Sequence, residues 1–206
     1  MSQSERNRSR SLELSFVVAA LVARRNDLVR ESIETLRAQG VSREAVREMI
    51  LQSYLHDGYA TALEGMTFLA EVWPGDPDPV DDPNCDNYKV WRDRGEKLFR
   101  EVYGDVADRA RSNIAEISPE LAEWMVVEGY GKVLSRGILD TPTRELGTVA
   151  VLIMKRRSKQ LFSHLRGALR VGVSLDELNL LLDRIAAELN ATDAAREARE
   201  LLDQVA

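Results

Sequence analysis

The stretch Glu13–Arg25, ELSFVVAALVARR, has a partner further along the chain in Glu145–Arg157, ELGTVAVLIMKRR, at a numbering offset of 132 (145 − 13). The overlay runs without a gap from Glu13–Val72 onto Glu145–Gln204. Glu13-Leu14 meets Glu145-Leu146, Arg24-Arg25 meets Arg156-Arg157, and Gly40-Val41-Ser42 meets Gly172-Val173-Ser174. Apolar residues meet apolar ones along most of the overlay, Phe16 facing Thr148 being an exception. Self-similarity of this kind redefines the building block. The block read here is a helical unit of about 60 residues, present twice.

Around that core the chain divides into four expected regions. Residues 1–11 read as a disordered Ser/Arg-rich tail and 12–73 as a first, degenerate repeat. Residues 74–87 read as a linker and 88–206 as the second repeat with leading helices. Between Trp73 and Asn87 stand Pro74, Pro77, Pro79 and Pro83 among five aspartates. Proline at that density excludes a helix. The aspartates lack the glycine and distal glutamate of a calcium loop, so a solvated linker is the expectation.

The 206-residue chain carries a net charge of −6, which argues against a nucleic-acid partner. Its longest apolar run, Phe16–Ala23, is too short to span a bilayer. Arginines ahead of that run give it the look of a signal peptide, but the segment recurs at Thr148–Lys155, so it belongs to the fold. Cys85 is the single cysteine, which leaves no intrachain disulfide or CxxC centre and fits a reducing cytoplasm.

Helical signals dominate, so the fold class is all-α. Ser118-Pro119 and Thr141-Pro142 place a capping hydroxyl before a proline at the first helical position. Ser174-Leu-Asp-Glu177 spells a capping box, and each Gly-Val-Ser ends one helix and caps the next. These signals predict helices near 12–24, 26–39, 42–55, 58–73, 88–103, 105–116, 119–136, 142–155, 157–170, 174–189 and 192–205.

A helix beginning near Arg157 sets Arg157, Gln160 and His164 on one face, and the preceding helix carries Glu145 near its start. A carboxylate, a guanidinium and an imidazole together can hold an acidic substrate and move a proton near neutral pH. The same residues also fit a structural Glu145–Arg157 ion pair beside a half-buried His164. His56-Asp57 ranks lower as a base and its orienting carboxylate, because adjacent helical residues diverge. Trp73, Trp91 and Trp124 read as core or interface anchors, Arg166 and Arg170 as surface charges, and Cys85 as inert.

Several of these segments resemble the carboxymuconolactone decarboxylase family, whose superfamily includes the alkyl-hydroperoxidase AhpD proteins. The resemblance rests on Tyr130-Gly131, Arg136-Gly137, Thr143-Arg144-Glu145-Leu146, His164-Leu-Arg-Gly-Ala-Leu169 and Gly172-Val-Ser with Asp176-Glu177. Gly95-Glu96, Val102-Tyr103-Gly104 and Gly58-Tyr59 with Ala62-Leu63 add weaker matches, Ala60 standing where the family usually has proline. It implies an AhpD-like helical fold in two tandem copies, and oligomerisation as a homotrimer.

It also implies decarboxylase-like chemistry on a small carboxylated lactone or related aromatic-degradation intermediate, with no metal or organic cofactor; the short apolar run leads to the separate expectation of no membrane partner. His164 would donate or accept the proton and Glu145 would orient it. Arg157 would bind the substrate carboxylate, with Arg156 and Gln160 beside it. The AhpD-like branch carries a CxxC pair where Arg157 and Gln160 stand, so thiol peroxidase activity by that route is excluded. In the first repeat Leu28 and Ser32 replace the equivalents of Gln160 and His164, so chemistry falls to the second. The competing reading is a non-catalytic scaffold or ligand-binding oligomer.

Overall fold

The computed structural model describes residues 2–75 and 87–206, and every described regular element is helical. Cys85 and nearly all of the Pro/Asp-rich linker lie outside the described residues. The described residues form two compact units, which cut across the boundaries expected from sequence: 2–75 together with 138–206, and 87–137.

The first unit is built around α1 (Gln3–Val22) and α8 (Thr141–Met154), which pack against each other. Both bury nearly their whole circumference, Leu14 to Leu21 in one and Arg144 to Ile153 in the other. A helix apolar all round has no solvated face, so it becomes the centre of a bundle. Amphipathic helices then cover it: α2 (Asn26–Ala38), α3 (Arg43–Gln52), α4 (Tyr54–Val72), α9 (Ser158–Arg170), α10 (Leu175–Glu188) and α11 (Thr192–Leu202). Helix α10 packs on α1, and α3 packs on α8.

The short connections explain the register. Arg24 and Arg156 both adopt left-handed conformations, φ 57° and 51°, at the ends of α1 and α8. The amide of Arg25 donates to Ala20 O, and that of Arg157 to Leu152 O, each closing the helix end. Gly40 (φ 69°) and Gly172 (φ 104°) end α2 and α9 with positive φ as well. Glycine takes up such a conformation without a Cβ penalty. Ser42 and Ser174 then cap α3 and α10 through their side chains.

Residues 3–11, expected as a frayed tail, instead form the opening turns of α1. Ser2 and Glu5 make a capping box there. Arg8 donates to Ser174 Oγ at 2.7 Å, and Arg10 donates to the Gln39 carbonyl at 2.6 Å. Arginines read as a loose tail are the groups that tie it to the bundle.

In the second unit, α5 (Tyr88–Tyr103) leads through a 3₁₀ turn (Gly104–Val106) to α6 (Ala107–Ala115) and α7 (Pro119–Trp124). The helix expected over 119–136 widens into a π-helix at Met125–Leu134, packed on α5. A Cβ on Gly131 would lie 1.8 Å from the Trp91 carbonyl oxygen, and one on Gly95 would lie 2.0 Å from that of Val126. Glycine at both positions allows this backbone-to-backbone approach. Trp91 is half-buried under the Lys132 ammonium at 5.1 Å, whereas Trp124 is 57 % exposed and anchors no core. Trp73, in the first unit, is half-buried beneath the Arg37 guanidinium.

Candidate functional site

Helix α8 carries Glu145 in its second turn, and the tight Lys155–Arg157 connection sends α9 back along it. His164 thereby meets Glu145 across 19 residues of sequence, Nδ1 to Oε2 at 2.9 Å. Both side chains are buried, Glu145 at 2 % and His164 at 8 % exposure. In the tautomer that carries Nδ1–H the imidazole donates to Oε2, and Nε2 takes no part in this bond. Thr148, one turn on from Glu145 along α8, holds a buried hydroxyl with no partner among the described residues.

None of the expected substrate-binding residues bonds to this pair. Arg157 and Gln160 are exposed at the start of α9, and Arg157 does not pair with Glu145. Arg156 is bound to Glu197 of α11. The structural ion-pair reading of Glu145 with Arg157 is therefore corrected: the partner of Glu145 is His164. Arg166 and Arg170 are exposed, as expected.

His56-Asp57 also behaves differently from a base with its orienting carboxylate. Asp57 binds Lys155 and accepts from the Thr61 hydroxyl at 2.8 Å. His56 turns instead to His164, ring edge to face, with centroids 5.9 Å apart. Burial, aided by the His164 charge, pushes the His56 imidazole down to about 3, so it stays neutral near neutral pH. Sequence reasoning ranked His56-Asp57 low because adjacent helical residues diverge, and the ring partner at position 164 is distant in the chain. The available signal was that it is one of only two histidines.

On the other side of the α1–α8 pair, Glu13 is the repeat counterpart of Glu145 but meets no imidazole. Arg184 of α10 grips it at 2.7 and 3.2 Å and stacks over the Phe16 ring at 3.7 Å. Ser32 occupies the position that overlays on His164 and is buried. A guanidinium thus neutralises the carboxylate that an imidazole faces at the Glu145 end. A cavity of about 390 Å³ opens there, lined by Leu12, Glu13, Leu180 and Arg184 among others.

At the same offset, Leu12 and Leu180 correspond to Arg144 and Glu48, and these two form a buried ion pair at 3.0 Å. Arg144 also donates to Gln52 Oε1 at 3.1 Å, and Gln52 donates back to the Arg144 carbonyl at 3.0 Å. Neither Arg144 nor Glu48 was singled out as a partner in the sequence reading. Among the described residues, no group of three or more His, Cys, Asp or Glu is placed to hold a metal ion. No described helix is long and apolar enough to cross a membrane.

An all-helical bundle presenting a buried carboxylate–imidazole pair from two consecutive helices defines the class. The chain belongs to the carboxymuconolactone decarboxylase family, whose family model matches residues 119–204. It is 32 % identical over 110 residues to a 4-carboxymuconolactone decarboxylase of Acinetobacter baylyi, a match covering 52 % of this chain and 82 % of that protein. It is also 33 % identical over 86 residues to Peroxisomal protein 2 of Schizosaccharomyces pombe, covering 41 % of this chain and 40 % of that protein.

Proposed function

We propose that this protein decarboxylates a small carboxylated lactone, using His164 as proton carrier and Glu145 as the residue that orients it. The buried Glu145–His164 hydrogen bond, in a member of this family, is the observation that carries the reading. Loss of CO2 breaks a carbon–carbon bond and leaves its electron pair on the substrate carbon, where the conjugated lactone carbonyl delocalises it. Protonated His164 then delivers a proton to that carbon and is left neutral, to be recharged from water. Glu145 holds Nδ1–H throughout and stabilises the imidazolium. Of the three expected substrate-binding residues, Arg156 is engaged by Glu197, and Arg157, exposed at the start of the helix that carries His164, is assigned to the substrate carboxylate, because a guanidinium fork meets a carboxylate through two hydrogen bonds.

The fold itself is proposed to be two tandem copies of one unit. The starts of α2 and α9, Asn26 and Ser158, stand at the repeat offset, as do those of α3 and α10, Arg43 and Leu175. The second copy would hold the live relay. The Arg184–Glu13 clamp supports reading the first as scaffold.

The test is turnover of 4-carboxymuconolactone by the purified chain. His164→Ala is expected to lower kcat by about 10²–10⁴-fold and Glu145→Gln by less. Arg157→Ala is expected to raise KM more than it lowers kcat. Full turnover by His164→Ala would remove the relay, and absence of turnover by the native chain would leave the non-catalytic ligand-binding reading.

A further inference from the structure

We propose that His56 Nε2 contacts the ligand directly, so that the site is assembled from both halves of the chain. This rests on the proposed function of the Glu145–His164 pair and adds a third group to it. Three observations on α4 support it. The His56 side chain is only half-buried, yet its Nε2 is shielded from solvent and has no hydrogen-bond partner among the described residues. A buried polar atom left alone is costly, and native structures seldom keep one without use.

The ring packs edge-on against His164, which places that nitrogen's side chain beside the relay. The backbone also fixes it there. Its amide donates to Ser53 O at 3.1 Å, Asp57 is anchored by Lys155 and Thr61, and the helix breaks at Gly58 (φ 85°, ψ 170°).

The chemistry of the group selects the ligand atom. An imidazole kept neutral offers a hydrogen bond and no charge, so it suits an uncharged oxygen, the lactone carbonyl, better than the carboxylate. A second positive imidazole beside His164 would oppose the charge the relay must carry. Packing alone would be served equally by a phenyl ring, and this separates the two roles of His56.

The probe is 5-oxotetrahydrofuran-3-carboxylate, a saturated carboxylated γ-lactone, with binding measured by calorimetry. His56→Phe keeps the ring edge and removes the nitrogen; His56→Gln keeps a neutral hydrogen-bonding group. The expected result is at least a tenfold loss of affinity in His56→Phe and recovery to within about threefold in His56→Gln. The native protein gives a second reading, because it has two histidines and His164→Ala assigns them. In ¹⁵N-histidine-labelled protein the probe must shift the His56 ring-nitrogen signal. Native affinity in His56→Phe, or no His56 shift at saturating probe, overturns the inference. If His164→Ala still abolishes turnover in that case, the proposed function stands without His56. If His164→Ala leaves turnover intact, or the native protein does not bind the probe, both fall.

Discussion

Ser11 Oγ and Thr143 Oγ1 lie 2.8 Å apart across the α1–α8 contact, and the two residues are separated in sequence by 132 positions. This is the offset at which the chain overlays on itself. Under the proposed duplication a residue would be touching its own counterpart, which happens close to a local twofold axis. Arg184 of α10 reaches Glu13 of α1, and His56 of α4 reaches His164 of α9, so each half places a side chain at the other half's glutamate site. The two ends have diverged within this frame. Glu145 faces an imidazole, and Glu13 faces Arg184.

The buried Arg144–Glu48 pair gives the first prediction. Both side chains are essentially inaccessible, so removing Glu48 takes a carboxylate away from a buried guanidinium. Glu48→Ala is expected to cost about 3–5 kcal/mol in urea unfolding. Leucines occupy the two positions at the same 132-residue offset, Leu12 and Leu180. The double change Glu48→Leu/Arg144→Leu should therefore recover most of that loss. A double variant as unstable as the single one would show that the ion pair itself is required.

The helix starts were legible because their signals are local. Asn26 begins α2 as read from sequence, and Ser42, Ser118 and Ser174 cap α3, α7 and α10. Glu145 and His164 were legible through a 19-residue spacing that one helical hairpin preserves. Contacts between the halves were not legible. His56 with His164, Arg184 with Glu13 and Arg144 with Glu48 are set by how α4, α10 and α3 fall on the central pair. The same holds for the amino-terminal arginines, whose partners Ser174 and Gln39 are distant in sequence. The π-helix escaped notice because the close approach of α5 at Gly131 that accompanies it is tertiary.

That close approach can be tested directly. Gly131→Ala places a methyl against the Trp91 carbonyl, whereas a Cβ at Gly129 meets nothing within 4 Å. Gly131→Ala is expected to destabilise the second unit by about 3 kcal/mol or more, the upper end of what overpacking costs, because backbone cannot yield as a side chain does. Gly129→Ala should be neutral or slightly stabilising. Hydrogen exchange over residues 88–134 reads the difference locally. Equal protection in the two variants would contradict the packing.

Assembly gives the third prediction. In the first unit Tyr59 and Leu63 are 68 % and 66 % exposed, and in the second Ile117 is 86 % exposed beside Leu121 and Trp124. Large apolar side chains in contiguous exposed positions mark association surfaces. A homotrimer of the 23.2 kDa chain is expected at micromolar concentration in sedimentation. A species that remains at 23.2 kDa would refute it.

The last prediction concerns acid stability and uses His56 alone. Burial first, and the His164 charge second, lower its pKa from 6.5 to about 3 in the folded chain. The unfolded chain therefore binds the proton more readily, so stability from this residue is full above about pH 6.5 and is lost as pH falls toward about 3. The slope is up to about 1.4 kcal/mol per pH unit for one proton. The charged groups near His56 are His164 of α9 and, through it, Glu145 of α8, with the Asp57–Lys155 pair adjacent in sequence and space. Glutamine at position 56 has no proton to take up and leaves those groups in place. Between pH 7 and pH 5 the native protein should lose on the order of 2 kcal/mol more unfolding free energy than His56→Gln. Urea titrations at pH 7, 6 and 5 measure this directly. Parallel pH profiles for the two proteins would mean that His56 titrates as a solvent-exposed imidazole does, and its burial beside His164 would be wrong.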